Sequence, residues 1–283
     1  MKIFTTANEV SNFLEPLKTS TSSFGFVPTM GALHMGHVSL IKKACKENNI
    51  VIVSIYVNPT QFDKKNDLNK YPKNLKKDIN ILCSLNEDKV VLFTPDNKEI
   101  YGARTTKEKF SFGSVENKLE GKFRPGHFEG VATVVKKLLK IVRPDKAYFG
   151  EKDFQQLLII KKLVVAMGAR TLIVGCPIFR EPNGLAMSSR NSLLTNAELQ
   201  YASKIYNVLK IVKEKFKESS LEIIKKWVLK EFENDTLFKI EYFEITDSLN
   251  LEIATSVNNS KKYRAFISGY IRNVRLIDNI ALN

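Results

Sequence analysis

The chain has 283 residues, of which 43% are hydrophobic and 26% are charged. This composition is typical of a globular protein with a buried core, and it excludes a disordered, collagen-like or disulfide-stapled chain. No apolar run approaches the roughly 18–20 residues of a membrane span, and the first residues lack the apolar core of a signal peptide. Cys45, Cys83 and Cys176 are too far apart for a zinc motif or a disulfide framework. We therefore expect a reduced, cytoplasmic protein.

The formal net charge of +14 raises the question of nucleic-acid binding. The lysines, however, are scattered along the chain and often stand beside Asn and Ile. We interpret the charge as a solvated, lysine-rich surface, which also favours the approach of a small polyanion. The sequence predicts neither a nucleic-acid partner nor a membrane partner.

Short apolar runs alternate with segments of helical spacing as far as residue 177. The predicted strands are 24–27, 50–57, 89–93, 147–149 and 171–174. The predicted helices are 38–47, 72–85, 129–142 and 153–167. A stretch of mixed pattern, 98–115, is predicted to hold an edge hairpin. This alternation predicts an α/β fold with a doubly wound parallel sheet.

The pattern changes after residue 177. Residues 196–233 have the spacing of two amphipathic helices, and 238–283 suggest several short strands. We therefore expect two domains, a sheet domain over 1–177 and a smaller α+β domain over 178–283.

Three polar motifs directly follow predicted strands, at 28–37, 58–62 and 150–153. Ligands of doubly wound sheets bind beyond the carboxyl ends of the strands. The three motifs are therefore predicted to meet at one rim of the sheet.

The first of these motifs holds two of the three histidines in the chain, His34 and His37, on either side of Gly36. The helix that begins there presents free N–H groups to an anion, and the histidines can donate to phosphate oxygens from one side. The chain has no GxxxxGK[ST] loop, GxGxxG fingerprint, HExxH or GxSxG motif. Kinase and dehydrogenase activities therefore lose their main support.

The segment 28–37 resembles the HIGH-type signature of the nucleotidyltransferases, and in this extended form that of the pantoate–β-alanine ligases. Four further segments match that family in order. They are Asn58-Pro59-Thr60-Gln61-Phe62, residues 124–131, residues 148–156 and Met187-Ser188-Ser189-Arg190-Asn191. The closing segment Arg275-Leu276-Ile277-Asp278-Asn279 is also similar to the family. The resemblance implies a Rossmann-like, nucleotidyltransferase-type sheet domain and a homodimer.

The family couples ATP cleavage to amide formation in two steps. The pantoate carboxylate attacks the α-phosphate to give pantoyl adenylate and pyrophosphate, and the amine of β-alanine then displaces AMP. This chemistry needs positioning and charge-stabilising donors rather than an enzyme nucleophile.

The resemblance assigns three catalytic residues. His34 and His37 contact the phosphates, with His37 as the proton donor, and Lys152 neutralises phosphate charge. Residues 187–191 stand where related enzymes carry a mobile KMSKS-like loop. The implied ATP-binding residues are Met30, Gly31, Ala32, Leu33, His34, Met35, Gly36, His37, Gly150, Glu151, Lys152, Asp153, Phe179, Met187, Ser188, Ser189 and Arg190.

The resemblance also implies a site for pantoate and β-alanine. Its residues are Gln61, Gln156, Asn58, Arg124 and His127. Mg²⁺ is expected to accompany the ATP phosphates without a dedicated protein ligand, with Asp78 as a candidate for an outer-sphere contact.

Two alternatives stay open at the level of sequence. The first is another HxGH adenylyltransferase that acts on a different small acceptor, although the neutral amides Gln61 and Gln156 suit a small hydroxy acid better than a phosphorylated acceptor. The second is a nucleic-acid-binding protein that keeps an old nucleotidyltransferase fold. Steeply salt-dependent binding to a duplex or to RNA distinguishes the second from both enzymes.

Overall fold

Six parallel strands form the larger sheet of the protein in a computed structural model, which describes residues 1–19, 21–63 and 65–283. Along the sheet the strands run in the order β1-β4-β3-β2-β5-β6, and each neighbouring pair is parallel. Their bounds are β1 Lys2–Phe4, β2 Phe24–Thr29, β3 Ile50–Ile55, β4 Val90–Phe93, β5 Lys146–Gly150 and β6 Leu172–Cys176. This arrangement confirms the predicted doubly wound α/β fold.

Eight helices connect and cover these strands within the described ranges. They are α1 Ala7–Leu14, α2 Met35–Glu47, α3 Lys65–Lys70, α4 Leu75–Ser84, α5 Asn97–Tyr101, α6 Leu119–Phe123, α7 His127–Val142 and α8 Phe154–Ala166. Alternate strand residues pack on opposite faces of the sheet. Phe26 and Ile52 pack in one cluster with α7 and α8, whereas Val27 and Val53 pack in another with α2.

The winding of the sheet reverses between β2 and β5. The chain passes from β2 through α2 to β3 on one side, while β5 leads through α8 to β6 on the other side. β2 and β5 pair directly, with Gly25 opposite Lys146 and Phe26 opposite Ala147. A crevice opens at such a switch point because the helices that follow the two strands diverge.

A second, three-stranded antiparallel sheet is built from β7 Phe238–Asp247, β8 Tyr263–Ile271 and β9 Val274–Ala281. Helices α9 Asn196–Ala202, α10 Lys204–Lys215 and α11 Leu221–Glu233 precede it, and α10 and α11 pack against the sheet. The prediction of two helices over 196–233 was therefore one helix short. The prediction of short strands was also wrong, because three long strands form a continuous sheet.

The sequence prediction failed at two further places in the larger sheet. Residues 98–115 form no edge hairpin; they hold the end of α5, an irregular stretch and the start of a 3₁₀ turn over Gly113–Asn117. The edge strand β1 was missed, because three residues are too few for a periodicity to be detected. Within the described ranges, no helix is both long enough and apolar enough to cross a lipid bilayer.

Close packing of α7 on the turn Pro59–Gln61 requires a glycine at position 130. A Cβ on Gly130 would lie 2.2 Å from the Thr60 carbonyl oxygen and 2.7 Å from the Gln61 nitrogen. The Asn58 amide also donates to the Gly130 carbonyl oxygen at 3.2 Å. This contact fixes the turn that carries Gln61 against the helix.

We expect Gly130→Ala to lower the free energy of unfolding by about 2 kcal/mol, because overpacking a close contact typically costs about 1–3 kcal/mol. The direction of this stability change is informative, since replacing glycine by alanine in a helix ordinarily stabilises a protein by roughly 0.5–1 kcal/mol. Urea unfolding measures the change. The control Lys140→Ala, at an exposed position of the same helix, should shift stability by less than about 0.5 kcal/mol. A stabilised Gly130→Ala variant would contradict the close contact between α7 and the turn Pro59–Gln61.

Candidate active site

A cavity of about 240 Å³ lies at the carboxyl ends of β2 and β5, in the crevice of the switch point. It brings together most of the side chains predicted from the sequence. Those that line it are Met30, His34, Gly36, His37, Asn58, Gln61, Arg124, His127, Gly150, Lys152, Asp153, Gln156, Phe179, Met187, Ser188, Ser189 and Arg190. The predicted meeting of the three polar motifs at one rim is therefore found in the structure.

The two histidines of the first motif form a reciprocal cap at the start of α2. Nδ1 of His34 accepts the Gly36 N–H at 3.1 Å, and Nδ1 of His37 accepts the His34 N–H at 3.3 Å. Their ring centroids are 4.1 Å apart. Because each Nδ1 accepts, each neutral ring carries its proton on Nε2. Both histidines are thereby fixed as Nε2–H donors.

The surroundings keep both rings neutral. Burial and the nearby Lys152 ammonium lower the pKa of His34 to about 4. Burial, His34 and Lys152 lower the pKa of His37 to about 3. At neutral pH the two residues can donate hydrogen bonds but do not hold an extra proton. Lys152 and the two histidines line the same cavity.

The turn that leads into the histidines is held by a carboxylate from α4. Oδ2 of Asp78 accepts the Ala32 N–H at 2.9 Å, and Oδ1 accepts the Leu33 N–H at 2.7 Å. Asp78 is almost fully buried, and burial raises the pKa of its carboxyl group. With both oxygens bound to the turn, Asp78 acts as a backbone clamp, a role that the sequence did not indicate.

Five residues predicted for the nucleotide site do not line the cavity. Gly31, Ala32 and Leu33 supply the turn that Asp78 binds, and Gly31 has a positive φ of 78°. The Met35 side chain is exposed to solvent, and the Glu151 carboxylate accepts from Arg264 at 3.1 Å. These residues shape the site through the backbone or from behind it.

Lys152 follows β5 directly and lines the cavity from the strand next to the histidines. Its Nζ lies 3.8 Å from Oδ1 of Asp153, and its side chain is 18% exposed. This separation is longer than a hydrogen bond, so the Asp153 carboxylate does not occupy a donor of the ammonium. Lys152 and the two histidines thus make a wall of hydrogen-bond donors and positive charge.

The loop at 187–191 lies against the histidine turn. The Ser189 hydroxyl donates to the Ala32 carbonyl oxygen at 3.1 Å, and the Ser188 hydroxyl accepts the Arg190 N–H at 3.3 Å. The Arg190 guanidinium pairs with Asp67 at 2.8 Å. The structure therefore shows Arg190 at the wall of the cavity with a carboxylate partner from α3.

Two residues predicted to bind the acceptor have their polar atoms occupied by the protein itself. Asn58 donates to Gln61 Oε1 at 3.0 Å and accepts the Tyr101 hydroxyl at 2.6 Å. His127 bonds the Gln61 carbonyl oxygen through Nδ1 at 2.8 Å and Arg124 through Nε2 at 3.0 Å. Burial and the Arg124 charge lower the pKa of His127 to about 3. Both side chains hold Gln61 and Arg124 in place.

The side-chain amides of the predicted acceptor residues Gln61 and Gln156 face the cavity. The Gln61 amide nitrogen lies 3.0 Å from the Met30 sulfur, a weak acceptor that a substrate oxygen can replace. On α8, Gln155 points inward and bonds the Val115 and Lys118 carbonyl oxygens, whereas its neighbour Gln156 lines the cavity.

Apolar side chains of α7 also line the cavity, a feature that the sequence did not reveal. Val131, Val134, Val135 and Leu138 border it. Their helical spacing is the same as that of a core-facing stripe, so no sequence signal separates the two environments. They give one wall of the cavity a low-polarity surface against which charges interact more strongly.

A larger cavity of about 670 Å³ adjoins the first one and lies between the two sheets. Arg124, Lys152, Asp153, Ser188 and Arg190 line both cavities. Residues of β9 form its far wall, so the smaller sheet contributes directly to the site.

The three histidines of the chain predict a pH dependence of stability. All three stay neutral in the folded protein, whereas the unfolded chain binds protons near the ordinary pKa of about 6.5, so unfolding takes up protons below that pH. Stability is therefore complete above pH 6.5. It falls toward pH 5 by up to about 1.4 kcal/mol per pH unit for each histidine.

Urea unfolding at constant ionic strength between pH 7.5 and 5 checks this expectation. The variant His34→Gln should remove about a third of the slope, since one of three titrating groups is lost. A free energy of unfolding that does not change over this range would contradict the neutral state of the buried rings.

Comparison with known proteins agrees with this site. The family described as Pantoate-beta-alanine ligase matches residues 2–281. The pantothenate synthetases of Flavobacterium psychrophilum and Christiangramia forsetii are 49% and 48% identical to the chain, each over 100% of both sequences.

Solved structures of the same family superimpose on the whole chain. The pantothenate synthetase of Thermus thermophilus has a TM-score of 0.90 at 34% identity, covering 100% of this chain and 99% of its own. The pantoate-beta-alanine ligase of Francisella tularensis, complexed with beta-gamma ATP and β-alanine, has a TM-score of 0.83 at 43% identity, covering 100% and 98%. From the full-length matches and the crevice at the switch point, we conclude that the chain belongs to the pantoate–β-alanine ligase family.

Proposed function

We propose that the protein condenses pantoate with β-alanine to form pantothenate, with ATP converted to AMP and pyrophosphate. The observation that carries the proposal is the meeting of His34, His37 and Lys152 at the switch point of the sheet. The Francisella tularensis relative, complexed with beta-gamma ATP and β-alanine, supports the choice of substrates.

In the first step, a carboxylate oxygen of pantoate forms a bond to the α-phosphorus of ATP, and the bond to pyrophosphate breaks. The Nε2–H groups of His34 and His37, the positive end of the α2 dipole and the Lys152 ammonium stabilise the negative charge of the transferring group. We assign His37 the role of a neutral hydrogen-bond donor rather than a proton donor, because its pKa is lowered to about 3.

The nucleotide lies along the rim in this proposal. The backbone of Met30–His37 and Gly150–Asp153 contacts the phosphates and ribose, and the half-exposed Phe179 borders the adenine. Ser188 and Ser189 donate to the triphosphate, and Arg190 exchanges its partner Asp67 for a phosphate when the loop closes. Closure keeps water from the adenylate.

Pantoate lies beside the histidines, bound by the Gln61 and Gln156 amides and by Arg124. Neutral amides can bind both hydroxyl and carboxylate groups because each carries a donor and an acceptor. Asn58 and His127 position Gln61 and Arg124 instead of binding the acceptor directly. The apolar side chains of α7 pack against the methyl groups of pantoate.

In the second step, the amine of β-alanine attacks the acyl carbon of pantoyl adenylate, the carbon–oxygen bond to AMP breaks, and the amine proton passes to solvent. The cavity of about 670 Å³ adjoins the adenylate site and provides room for this second substrate. Arg124 and Arg190 at the junction of the cavities offer positive charge to its carboxylate.

Magnesium enters this proposal bound to the phosphates of ATP. In the described part of the chain, no group of three or more His, Cys, Asp or Glu side chains could hold a metal ion. Asp78 binds the backbone through both oxygens, so it does not suit the outer-sphere role expected from the sequence.

The proposal includes the two-domain division at residues 177 and 178. The hydrophobic clusters support it, since two of them lie on the two faces of the larger sheet and a third joins α9–α11 to the smaller sheet. Leu251 and Phe266 of the smaller domain also pack into one cluster of the larger sheet, so the two domains share a closely packed boundary. The homodimer implied by the resemblance and the cytoplasmic location expected from the composition belong to the same proposal.

Exchange of labelled pyrophosphate into ATP, measured with pantoate present and β-alanine absent, tests the proposed function. We expect exchange only when pantoate is present, because only then can the reversible adenylate form. Subsequent addition of β-alanine should release AMP and pantothenate. Absence of pantoate-dependent exchange in folded protein that binds ATP would refute the proposal and favour a different acceptor for the same nucleotide site.

Lys152→Ala is expected to lower turnover by roughly 10²–10³, as removal of a preorganised charge-stabilising donor commonly does. Gln156→Ala should instead raise the KM for pantoate with a smaller effect on turnover, because its amide is proposed to bind the substrate itself. Steady-state kinetics of both variants measure the difference. Lys161→Ala, an exposed lysine on α8, is the matched control and should behave like the parent protein. Near-normal turnover in the Lys152→Ala variant would contradict the proposal that Lys152 neutralises phosphate charge.

A further inference from the structure

The closing segment Arg275–Asn279 lies on β9 of the smaller sheet, yet Arg275 and Asn279 bind residues of the larger domain. The Arg275 guanidinium binds both oxygens of Glu120 at 2.6 and 2.8 Å. Asn279 is only 1% exposed and lies next to the turn Glu151–Asp153. A buried amide is tolerated only where hydrogen bonds satisfy it, so its partners indicate its role.

The Asn279 side chain joins two consecutive carbonyl groups of the active-site turn. Its Nδ2 donates to the Glu151 carbonyl oxygen at 3.0 Å and to the Lys152 carbonyl oxygen at 2.9 Å. Its Oδ1 accepts from the Arg264 guanidinium. Two acceptors on one side and a cation on the other define the orientation of the amide.

Arg264 closes this network. It is largely buried on β8, and its Nη2 donates to the Glu151 carboxylate at 3.1 Å. The Glu151 backbone and side chain are thus both bound by the smaller sheet, one through Asn279 and the other through Arg264. The turn is held at two points by residues more than one hundred positions away in sequence.

The position of this turn determines where the Lys152 ammonium lies. The turn is a single 3₁₀ turn without a side-chain cap at its start, and the Lys152 side chain has four rotatable bonds. The nearest carboxylate oxygen, of Asp153, is 3.8 Å from Nζ. The Asn279 hydrogen bonds therefore add a constraint on the backbone of Lys152 beyond that of the flanking β5 and α8. Displacement by 1 Å at a charge-stabilising group can cost about 10²-fold in rate.

We propose that Asn279 is a positioning residue for Lys152, through which the smaller sheet sets the place of the phosphate-binding ammonium. The inference rests on the proposed function, in which Lys152 neutralises phosphate charge. It assigns the smaller domain a part in the adenylation step itself, in addition to closing over the nucleotide.

Asn279→Ala and Asn279→Asp test the inference. Alanine removes both donors, and aspartate replaces them with an oxygen that repels the two carbonyl groups. We expect pantoate-dependent pyrophosphate exchange at saturating substrates to fall by about 10–100-fold. The KM for pantoate should stay within about 2-fold, since the pantoate-binding amides are not anchored by Asn279. A rise in KM without loss of exchange rate overturns the proposal.

Asn283→Ala is the matched control. Asn283 belongs to the same domain, donates through Nδ2 to the Lys261 carbonyl oxygen at 2.9 Å and accepts the Tyr263 N–H at 2.7 Å. The Asn283→Ala variant therefore loses a similar set of hydrogen bonds, none of which involves the active-site turn. Its exchange rate should equal that of the parent protein, and a loss as large as that of Asn279→Ala indicates a purely structural effect and overturns the proposal.

A double-mutant cycle with Lys152→Ala separates positioning from general destabilisation. If Asn279 acts through Lys152, adding Asn279→Ala to Lys152→Ala should lower exchange by no more than about 2-fold. Losses that multiply overturn the inference while leaving the function of Lys152 intact. Full exchange in Lys152→Ala alone overturns the role of Lys152 and the inference together.

Arg264→Lys provides a second test of the inference if the substitutions at position 279 prevent folding. Lysine keeps the positive charge but cannot bind Asn279 and Glu151 at once. We expect a smaller loss of exchange that likewise disappears in the Lys152→Ala background. A loss of exchange that persists in that background overturns the proposal.

Discussion

The parallel pairing of β2 with β5 is the constraint on which the rest of the site depends. It places the end of one strand, with its histidine turn, beside the end of another, with Lys152. Neither segment could present three donors to one anion alone, because the charge and the neutral donors come from different strands. The helices that diverge from this point leave the room in which a nucleotide can lie.

The donors at this crevice are fixed before any substrate arrives. Each histidine uses Nδ1 to accept a backbone N–H, which leaves Nε2–H as its donor, and Asp78 clamps the turn behind them. Preorganisation of this kind stabilises developing charge without reorganisation during the reaction. It also accounts for the low histidine pKa values, since the burial that fixes the rings disfavours their protonated forms.

Buried ion pairs hold β9 in place, one to helix α6 of the larger domain and one within the smaller domain. Burial alone would raise the pKa of Glu120, but the two hydrogen bonds from Arg275 hold it at about 2. Arg180 and Asp278 form a second buried pair at 2.6 Å, between the segment that follows β6 and β9. Breaking such a pair leaves an uncompensated charge and typically costs about 3–5 kcal/mol. These contacts hold β9 in register against the active-site turn, which the action of Asn279 on Lys152 requires.

The sequence by itself determined the parallel α/β sheet, the histidine motif and the rim at which the polar segments meet. These features depend on local signals, namely apolar periodicity and motifs that follow strands. The tertiary structure decided which of the motif residues keep polar atoms available to a ligand. The polar atoms of Asn58 and His127 form internal hydrogen bonds. Asn279 donates to the Lys152 carbonyl oxygen although 127 positions separate the two residues in the sequence. Such partners are set by the packing of distant strands, on which local periodicity carries no information. The length of the strands in the smaller sheet was not predicted either, because it is set by antiparallel pairing between strands and not by the local sequence pattern.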